Sequence, residues 1–307
     1  MGKYVLSTQN TQFLMNGKPF LPIGLRCSNS LLTEETTDDL IGHLDEYTGF
    51  GVNTISVFLM GSRFGNIKGY LENTELNPVY STRLARIIEA ADDRGMAVIV
   101  GCLYWEHSDA KWSSWTQEEA NSAVHNTVRW LSENQYRNVI VDVDNEGMAR
   151  RNAGFDNRQM VIAGKSADSD ILLATNYIGQ PPVEADVALH FSDKAENKPY
   201  IESEGTPLKA PGNYWHYYSK NTDPNNYYRL VDGTNYINTG VYSDDMKENQ
   251  IELTRWHLER GYGYMLASTW LQDVPPQGPN HQPGGYGSQD NPGIRWWLKF
   301  IRDTYGA

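Results

Sequence analysis

Short apolar runs alternate along this chain with longer segments whose apolar residues recur at helical spacing. Such alternation is typical of βα units, in which each buried strand of a parallel sheet is followed by a helix. The runs are rich in β-branched residues, as strands are. Eight runs fit this description: Pro22–Cys27, Val52–Met60, Ala97–Trp105, Asn138–Asn145, Ile171–Tyr177, Val187–Phe191, Pro199–Ser203 and Tyr262–Trp270. Eight such strands predict a closed barrel.

Helical periods fill the spaces between these runs. The pattern predicts helices over Thr36–Thr48, Ser81–Arg94, Gln117–Asn134, Met246–Arg260 and Ile294–Tyr305. Phe13–Phe20, with Asn16-Gly17 at its centre, predicts a hairpin that precedes the first strand and plugs the barrel floor. The expected architecture is one α/β domain over residues 1–307, a (β/α)8 TIM barrel with an N-terminal β-hairpin and long βα loops.

Four of the predicted connections are long, and all four follow the C-terminal ends of strands: Gly61–Val79, Glu106–Thr116, Gly205–Asp245 and Leu271–Pro292. In a barrel these loops rise on the face that binds substrate. They carry many aromatic residues, Trp215 among them. Aromatic rings offer flat apolar faces to sugar rings, so the loops predict a cleft that binds carbohydrate.

Composition narrows the class of ligand. The formal net charge of −12 at pH 7, without clusters of Lys or Arg, argues against a nucleic-acid partner. No stretch has the roughly 20 apolar residues of a membrane helix. Cys27 and Cys102 are too few for a disulfide scaffold and are expected to be packed thiols. Met1–Asn10 lacks a signal pattern, so no compartment is assigned; a secreted or periplasmic protein would need a leader ahead of it.

The densest polar signal is Val139–Gly147, which reads Val-Ile-Val-Asp-Val-Asp-Asn-Glu-Gly. An apolar strand ends here abruptly in acid and amide groups. At a barrel mouth, Glu146 could donate a proton and Asn145 could hydrogen-bond a sugar hydroxyl. The alternative is that these side chains cap the next segment or solvate a turn.

A second strand end, Lys198–Gly205, also finishes in carboxylates. Glu202 and Glu204 are two residues apart, so an unbroken strand would point both side chains to the same side. Glu204 would lie nearer the mouth, and Glu202 would need a partner to stay charged deeper in the barrel. The alternative is that Glu202 and Glu204 only solvate the end of the strand.

The fourth and seventh strands lie opposite each other in an eight-stranded barrel, so their terminal carboxyls can face each other. A separation of about 5 Å suits double displacement, in which one carboxylate attacks the anomeric carbon while the other group protonates the leaving oxygen. A wider gap leaves room for water and inversion.

On these motifs the sequence resembles glycoside hydrolase clan A, the barrel hydrolases that include the cellulase-like family 5. Asn145-Glu146 matches the clan's Asn-Glu at strand four, and Lys198-Pro199 followed by Glu204 matches its strand-seven motif. Trp270 matches the tryptophan on strand eight. The resemblance implies that Glu146 is the acid/base, Glu204 the nucleophile and Trp270 the floor of the cleaving subsite.

Two positions depart from the clan's pattern. Ser56 stands where many members have an arginine on strand two that contacts the nucleophile. His190-Phe191-Ser192 keeps the histidine of the strand-six motif but lacks its tyrosine. Arg26, at the end of strand one, and Tyr177, at the end of strand five, are candidates to replace them in space.

The remaining predicted contacts complete a cofactor-free site. His190 is expected to hydrogen-bond substrate near the cleaving subsite, or else to be a bonded core residue. Trp105, at the end of strand three, is expected either to bind sugar or to lie on a solvated loop turn, and Trp215 is expected to bind sugar. No ligand spacing indicates a metal.

The leading hypothesis is therefore a retaining glycoside hydrolase that cleaves a β-linked oligo- or polysaccharide. The alternatives are a carbohydrate-binding barrel that has lost catalysis and a metal-dependent barrel hydrolase. The sequence leaves the sugar, the linkage and the oligomeric state open.

Overall fold

A three-stranded antiparallel sheet opens the computed structural model, which describes residues 2–60, 66–104, 111–207, 240–267 and 284–306. Its strands are β1 (Leu6–Gln9), β2 (Gln12–Met15) and β3 (Lys18–Phe20). The β2–β3 pair confirms the predicted hairpin, and β1 adds an edge strand that was not predicted. Leu6, Phe13 and Met15 pack with inward-facing residues of the barrel, so this sheet closes the barrel floor.

Eight parallel strands follow and close into a barrel. They are β4 (Ile23–Arg26), β5 (Thr54–Phe58), β6 (Ala97–Leu103), β7 (Val139–Asp144), β8 (Leu172–Thr175), β9 (Val187–Leu189), β10 (Tyr200–Gly205) and β11 (Gly263–Leu266). Each strand pairs with the next along the chain, and β11 pairs with β4. The predicted TIM barrel is confirmed, and each of the eight predicted runs contains most or all of one strand.

Helices cover the outside of the barrel. In the described ranges they are α1 (Glu34–Gly49), α2 (Pro78–Asp92), α3 (Gln117–Glu133), α4 (Met148–Ala153), α5 (Asn157–Ala167), α6 (Asp244–Leu258) and α7 (Arg295–Tyr305). Sequence analysis did not predict α4 and α5. The predicted start of α2 was wrong, because Asn77 caps it and Pro78 fits the first turn. A small hairpin, β12 (Gly284–Ser288) with β13 (Asn291–Gly293), precedes α7.

Alternation along the strands separates two cores. Outward-facing residues of the strands pack against the helices in the larger cluster. Inward-facing residues such as Ile99, Ile140 and Met265 fill the lower barrel together with the N-terminal sheet. Nearer the C-terminal mouth the inward positions become polar, with Arg26 on β4 and Asp142 on β7. The apolar floor thus supports a buried polar layer at the barrel mouth.

Gly101 on β6 lies where this packing leaves no room for a side chain. A Cβ atom at Gly101 would lie 2.0 Å from the Phe58 ring, which the surrounding core holds in place. Gly101→Ala should therefore destabilise the protein by about 1–3 kcal/mol through overpacking. The matched control is Gly42→Ala on the exposed face of α1, where nothing lies within 4 Å of the added atom.

Urea unfolding of both variants tests this difference. Gly42→Ala should raise the free energy of unfolding by about 0.5–1 kcal/mol, because alanine favours the helix interior. If Gly101→Ala unfolds at the wild-type urea concentration, the packing around Phe58 has been described wrongly.

No helix in the described part of the chain is long and apolar enough to cross a membrane.

Candidate active site

Glu146 lies on a tight turn, Asn145–Gly147, directly after β7. Its backbone is left-handed, with φ 54° and ψ 15°, and Gly147 follows at φ 60°. A glutamate adopts this conformation only where the surrounding structure enforces it, and such strain is concentrated at functional sites. The side chain is partly exposed at the barrel mouth.

The carboxylate of Asp144 enforces that turn. It accepts hydrogen bonds from the backbone N–H groups of Ala149 and Arg150, both at 2.9 Å, and so anchors the start of α4. Capping, the alternative role for the acids of this stretch, therefore falls to Asp144. Glu146 projects from the turn and is left for other chemistry.

Glu204 reaches the site through a β-bulge. The register between β10 and β11 shifts between Glu202 and Gly205, so β10 carries one extra residue there. The expectation that Glu202 and Glu204 point to the same side was wrong for this reason. Glu202 is fully buried beside Tyr200 and His190, whereas the side chain of Glu204 keeps 20% of its surface exposed.

Arg26 is the buried cation of the site. Its Nη2 lies 3.3 Å from Oε2 of Glu204 and donates to Tyr104 Oη at 2.9 Å and to Asn145 Oδ1 at 3.2 Å. The guanidinium also stacks 4.6 Å from the centroid of the Phe58 ring. Arg26 thus contacts Glu204 from β4, the contact that Ser56 on β5 is too short to make.

The carboxyl groups of Glu146 and Glu204 hydrogen-bond each other. Burial, the charge of Glu204 and this hydrogen bond raise the pKa of Glu146 to about 8, although the charges of His190 and Arg26 oppose the rise. Two close carboxyls share one proton because the second charge is costly to add. The raised pKa of Glu146 therefore favours its protonated form at neutral pH.

His190, at the end of β9, lies behind this pair and is 2% exposed. Its Nδ1 is 2.5 Å from Oε1 of Glu202, and its backbone is left-handed with φ 37°. Burial lowers the pKa of His190, but Glu202 together with the charges of Glu204 and Glu146 raises it above its ordinary value.

An amide chain supports Asn145 from below. Asn176, just after β8, donates to Asn145 Oδ1 at 3.1 Å and to Asp142 Oδ2 at 3.2 Å. Asn145 is fully buried, with Arg26 on the same oxygen. Burial raises the pKa of Asp142 to about 7, against the hydrogen bond from Asn176. Asn176 was not predicted as a site residue, and its only signal was an amide directly after an apolar strand.

Solved structures match this fold over almost the whole chain, whereas the sequence matches no protein-family model and no curated protein. A β-1,4-D-mannanase from Cryptopygus antarcticus is 11% identical, with 99% of this chain and 95% of that one covered at a TM-score of 0.59. A family 5 mannosidase from Rhizomucor miehei is 11% identical, with 98% and 96% covered at 0.60. The chain has the fold of glycoside hydrolase family 5.

A β-glucanase from Saccharophagus degradans is also similar, at 15% identity, with 99% of this chain and 93% of that one covered at a TM-score of 0.56. The resemblance to clan A that the motifs indicated is thus confirmed for the fold. At identities of 11% and 15%, the likeness carries the architecture and leaves the chemistry to the residues of this chain.

Two tyrosines near the barrel mouth differ in what they contact. Tyr177 was a candidate for the missing tyrosine, but its hydroxyl donates to the Gln180 carbonyl at 2.8 Å and its ring stacks on Arg150. Tyr177 is only partly buried and lies on the rim of the barrel mouth. Tyr104, which sequence analysis missed, is buried against Arg26; burial raises its pKa, and the charges of both glutamates raise it further.

Three predicted contacts, Trp105, Trp215 and Trp270, lie outside the described residues. Among the residues that the structure does describe, no group of three or more His, Cys, Asp or Glu side chains could hold a metal ion.

Proposed function

We propose that this protein is a retaining glycoside hydrolase that cleaves β-linked oligo- or polysaccharides by double displacement. The observation that carries the proposal is the hydrogen-bonded pair of Glu146 and Glu204, in which the raised pKa of Glu146 favours its protonated form at neutral pH. Inverting enzymes separate their carboxyls by about 6.5–9.5 Å to admit a water molecule. A contacting pair is too close for that and supports retention.

The surroundings give the two glutamates different tasks. Glu204, with Arg26 3.3 Å from its carboxylate, is the nucleophile that attacks the anomeric carbon. Glu146, whose pKa is raised to about 8, protonates the leaving oxygen. Once the glycosyl ester forms, the charge of Glu204 is lost, so the pKa of Glu146 falls and it can act as base toward water.

The remaining side chains hold the substrate. Asn145, fixed by Arg26 and Asn176, presents its amide beside the reacting carbon, and Tyr177 on the rim can stack on a sugar ring. The similar structures named above act on mannans, mannosides or glucans, which favours a neutral β-linked glycan as substrate. The missing strand-two arginine and strand-six tyrosine suggested a carbohydrate-binding barrel without activity, and the contact of Arg26 with Glu204 favours the enzyme instead.

Product stereochemistry provides the test. The purified protein should release sugar from at least one member of a panel of β-mannans, β-glucans and aryl β-glycosides. Proton NMR of the first product should then show the β anomer before mutarotation. Affinity without turnover across the panel would refute the enzyme proposal, and an initial α anomer would refute retention.

The pH dependence of kcat/KM offers a second prediction. The active form has Glu146 protonated, so activity should fall as the pH rises through about 8, the pKa of Glu146. An aryl glycoside with a good leaving group needs little protonation and should lose less rate on the alkaline side. A pH profile that is the same for good and poor leaving groups would contradict the assignment of Glu146 as the acid.

A further inference from the structure

Glu202 is a fully buried carboxylate that the proposed mechanism does not use. Its Oε1 accepts from Nδ1 of His190 at 2.5 Å and from the backbone N–H of Glu204 at 3.1 Å. Its Oε2 lies 3.2 Å from the hydroxyl of Tyr200. A carboxylate in a dry site stays ionised only when donors and an opposite charge surround it. This arrangement suits the ionised form of Glu202.

The bulge in β10 creates the arrangement. It turns the N–H of Glu204 toward Glu202 and turns the Glu204 side chain away from it, toward Arg26. The Tyr200 hydroxyl donates at 2.7 Å to the carbonyl of His190, which fixes that residue in its left-handed conformation. The imidazole is therefore held against Glu202, and the charges of Glu146 and Glu204 also act on it.

We propose that Glu202 keeps His190 in its doubly protonated form, and that this fixed cation sets the pH range in which Glu146 and Glu204 share one proton. A neutral imidazole would leave the three carboxyl groups of Glu202, Glu146 and Glu204 without the positive charge that His190 can supply. The imidazolium instead pairs with one of them and attracts the other two. Glu202 and His190 are thus positioning residues that act through the two glutamates. The kinetic part of this proposal rests on the proposed function, and the protonation of His190 does not.

Other charged and titratable groups lie around Glu202, His190 and the two glutamates, on several elements of the fold. Arg26 on β4 and Tyr104 after β6 lie on the side of the two glutamates. Lys194, in the loop after β9, packs 4.0 Å from the centroid of the Tyr200 ring, and His257 on α6 stacks on the same ring. Burial lowers the pKa of His257 to about 4 and that of Lys194 to about 8. His257 is therefore neutral near pH 7, while Lys194 titrates on the alkaline side and requires a control.

Glu202→Gln is the variant that tests the pairing of Glu202 with His190, called the Glu202–His190 dyad below. The amide oxygen can accept from His190 and from the Glu204 N–H, as Oε1 does. The amide nitrogen can donate to Tyr200, whose hydroxyl still donates to the His190 carbonyl. Shape and hydrogen bonds are preserved, and only the charge is removed. Thermal unfolding should verify that the variant is folded.

Nitrogen-15 NMR of the histidine rings measures the protonation of His190 without any substrate. The His190 signals are assigned by their loss in His190→Gln. In the wild-type protein both ring nitrogens should remain protonated above pH 7. In Glu202→Gln the ring should lose a proton at a pH lower by at least one unit.

The kcat/KM profile measures the effect on the glutamate pair. The charge of His190 lowers the pKa of Glu146, so its loss in Glu202→Gln should move the alkaline limb of the profile about one unit toward higher pH. Tyr200→Phe keeps every charge and removes the hydroxyl that donates to the His190 carbonyl and lies 3.2 Å from Glu202, so its alkaline limb should stay in place even if its rate falls. Lys194→Met separates any contribution of that amine to the alkaline limb.

The two readouts fail independently. A neutral His190 ring at pH 7 in the wild-type protein would overturn the dyad. If His190 is charged in the wild-type protein but the alkaline limb of the kcat/KM profile does not move in Glu202→Gln, the proposed control of the glutamate pair by His190 is overturned. If no glycoside is turned over, the proposed function fails, and the NMR titration still decides the state of His190.

Discussion

Replacing Glu204 with glutamine is expected to lower kcat by roughly 10⁴-fold or more, the scale of loss seen when a catalytic nucleophile is removed. An amide keeps the shape of the side chain and can still contact Arg26, but it cannot form the glycosyl ester. The fold and the affinity for sugar should be retained, because the charge that is lost is partly exposed. Steady-state kinetics and calorimetric binding of an oligosaccharide product measure the two effects.

Glu204→Gln should also change the remaining glutamate. The charge of Glu204 raises the pKa of Glu146, so its removal should bring that pKa back toward the ordinary value. Glu252→Gln, on the exposed side of α6, is the matched control and should behave as the wild-type protein. Glu202→Gln should retain turnover at its own pH optimum. If Glu202→Gln loses activity while Glu204→Gln keeps it, Glu204 is not the nucleophile.

The barrel could be predicted because its signal is repeated. Eight apolar runs with helical segments between them leave few other ways to bury so much strand surface. The predicted strand Val139–Asp144 and its polar end follow directly from this pattern, and so does the position of Glu146 at the mouth. Such features depend on local sequence and on the general geometry of barrels.

The bulge in β10 could not be predicted, because alternation assigns faces only while the register holds. One extra residue separates Glu202 from Glu204 and gives one carboxylate to the interior and the other to the cleft. Nothing in Tyr200–Gly205 marks the insertion. It arises from pairing with β11, a strand about sixty residues away in sequence.

The contacts of Arg26 could not be predicted from motif alignment either. A motif compares positions along one strand, and there Ser56 occupies the arginine's place. In the barrel, Arg26 and Ser56 are register partners on neighbouring strands, so a guanidinium on β4 reaches the same space. Tyr104 and Asn176 were missed for a related reason, since a lone polar residue at a strand end gains meaning only from what faces it across the mouth.

Glu146→Ala should slow substrates with poor leaving groups by roughly 10²–10⁴-fold, the usual contribution of a general acid. Activated aryl glycosides need little protonation, so their first step should be nearly unaffected. Their second step should become limiting, because no base remains to activate water. The backbone at this position is left-handed for either residue, so alanine adds little new strain. Burst kinetics with an aryl glycoside would reveal the accumulated intermediate.

Azide should restore turnover of the activated substrate by Glu146→Ala. The truncated side chain leaves space beside the anomeric carbon, and the positive charges of Arg26 and His190 that act on Glu146 in the wild-type protein attract a small anion to that space. Azide needs no base, and it attacks the glycosyl ester from the face that the leaving group vacated. The product should therefore be a glycosyl azide with the anomeric configuration of the substrate. An azide of inverted configuration, or equal losses for good and poor leaving groups, would rule out Glu146 as the acid/base of a retaining mechanism.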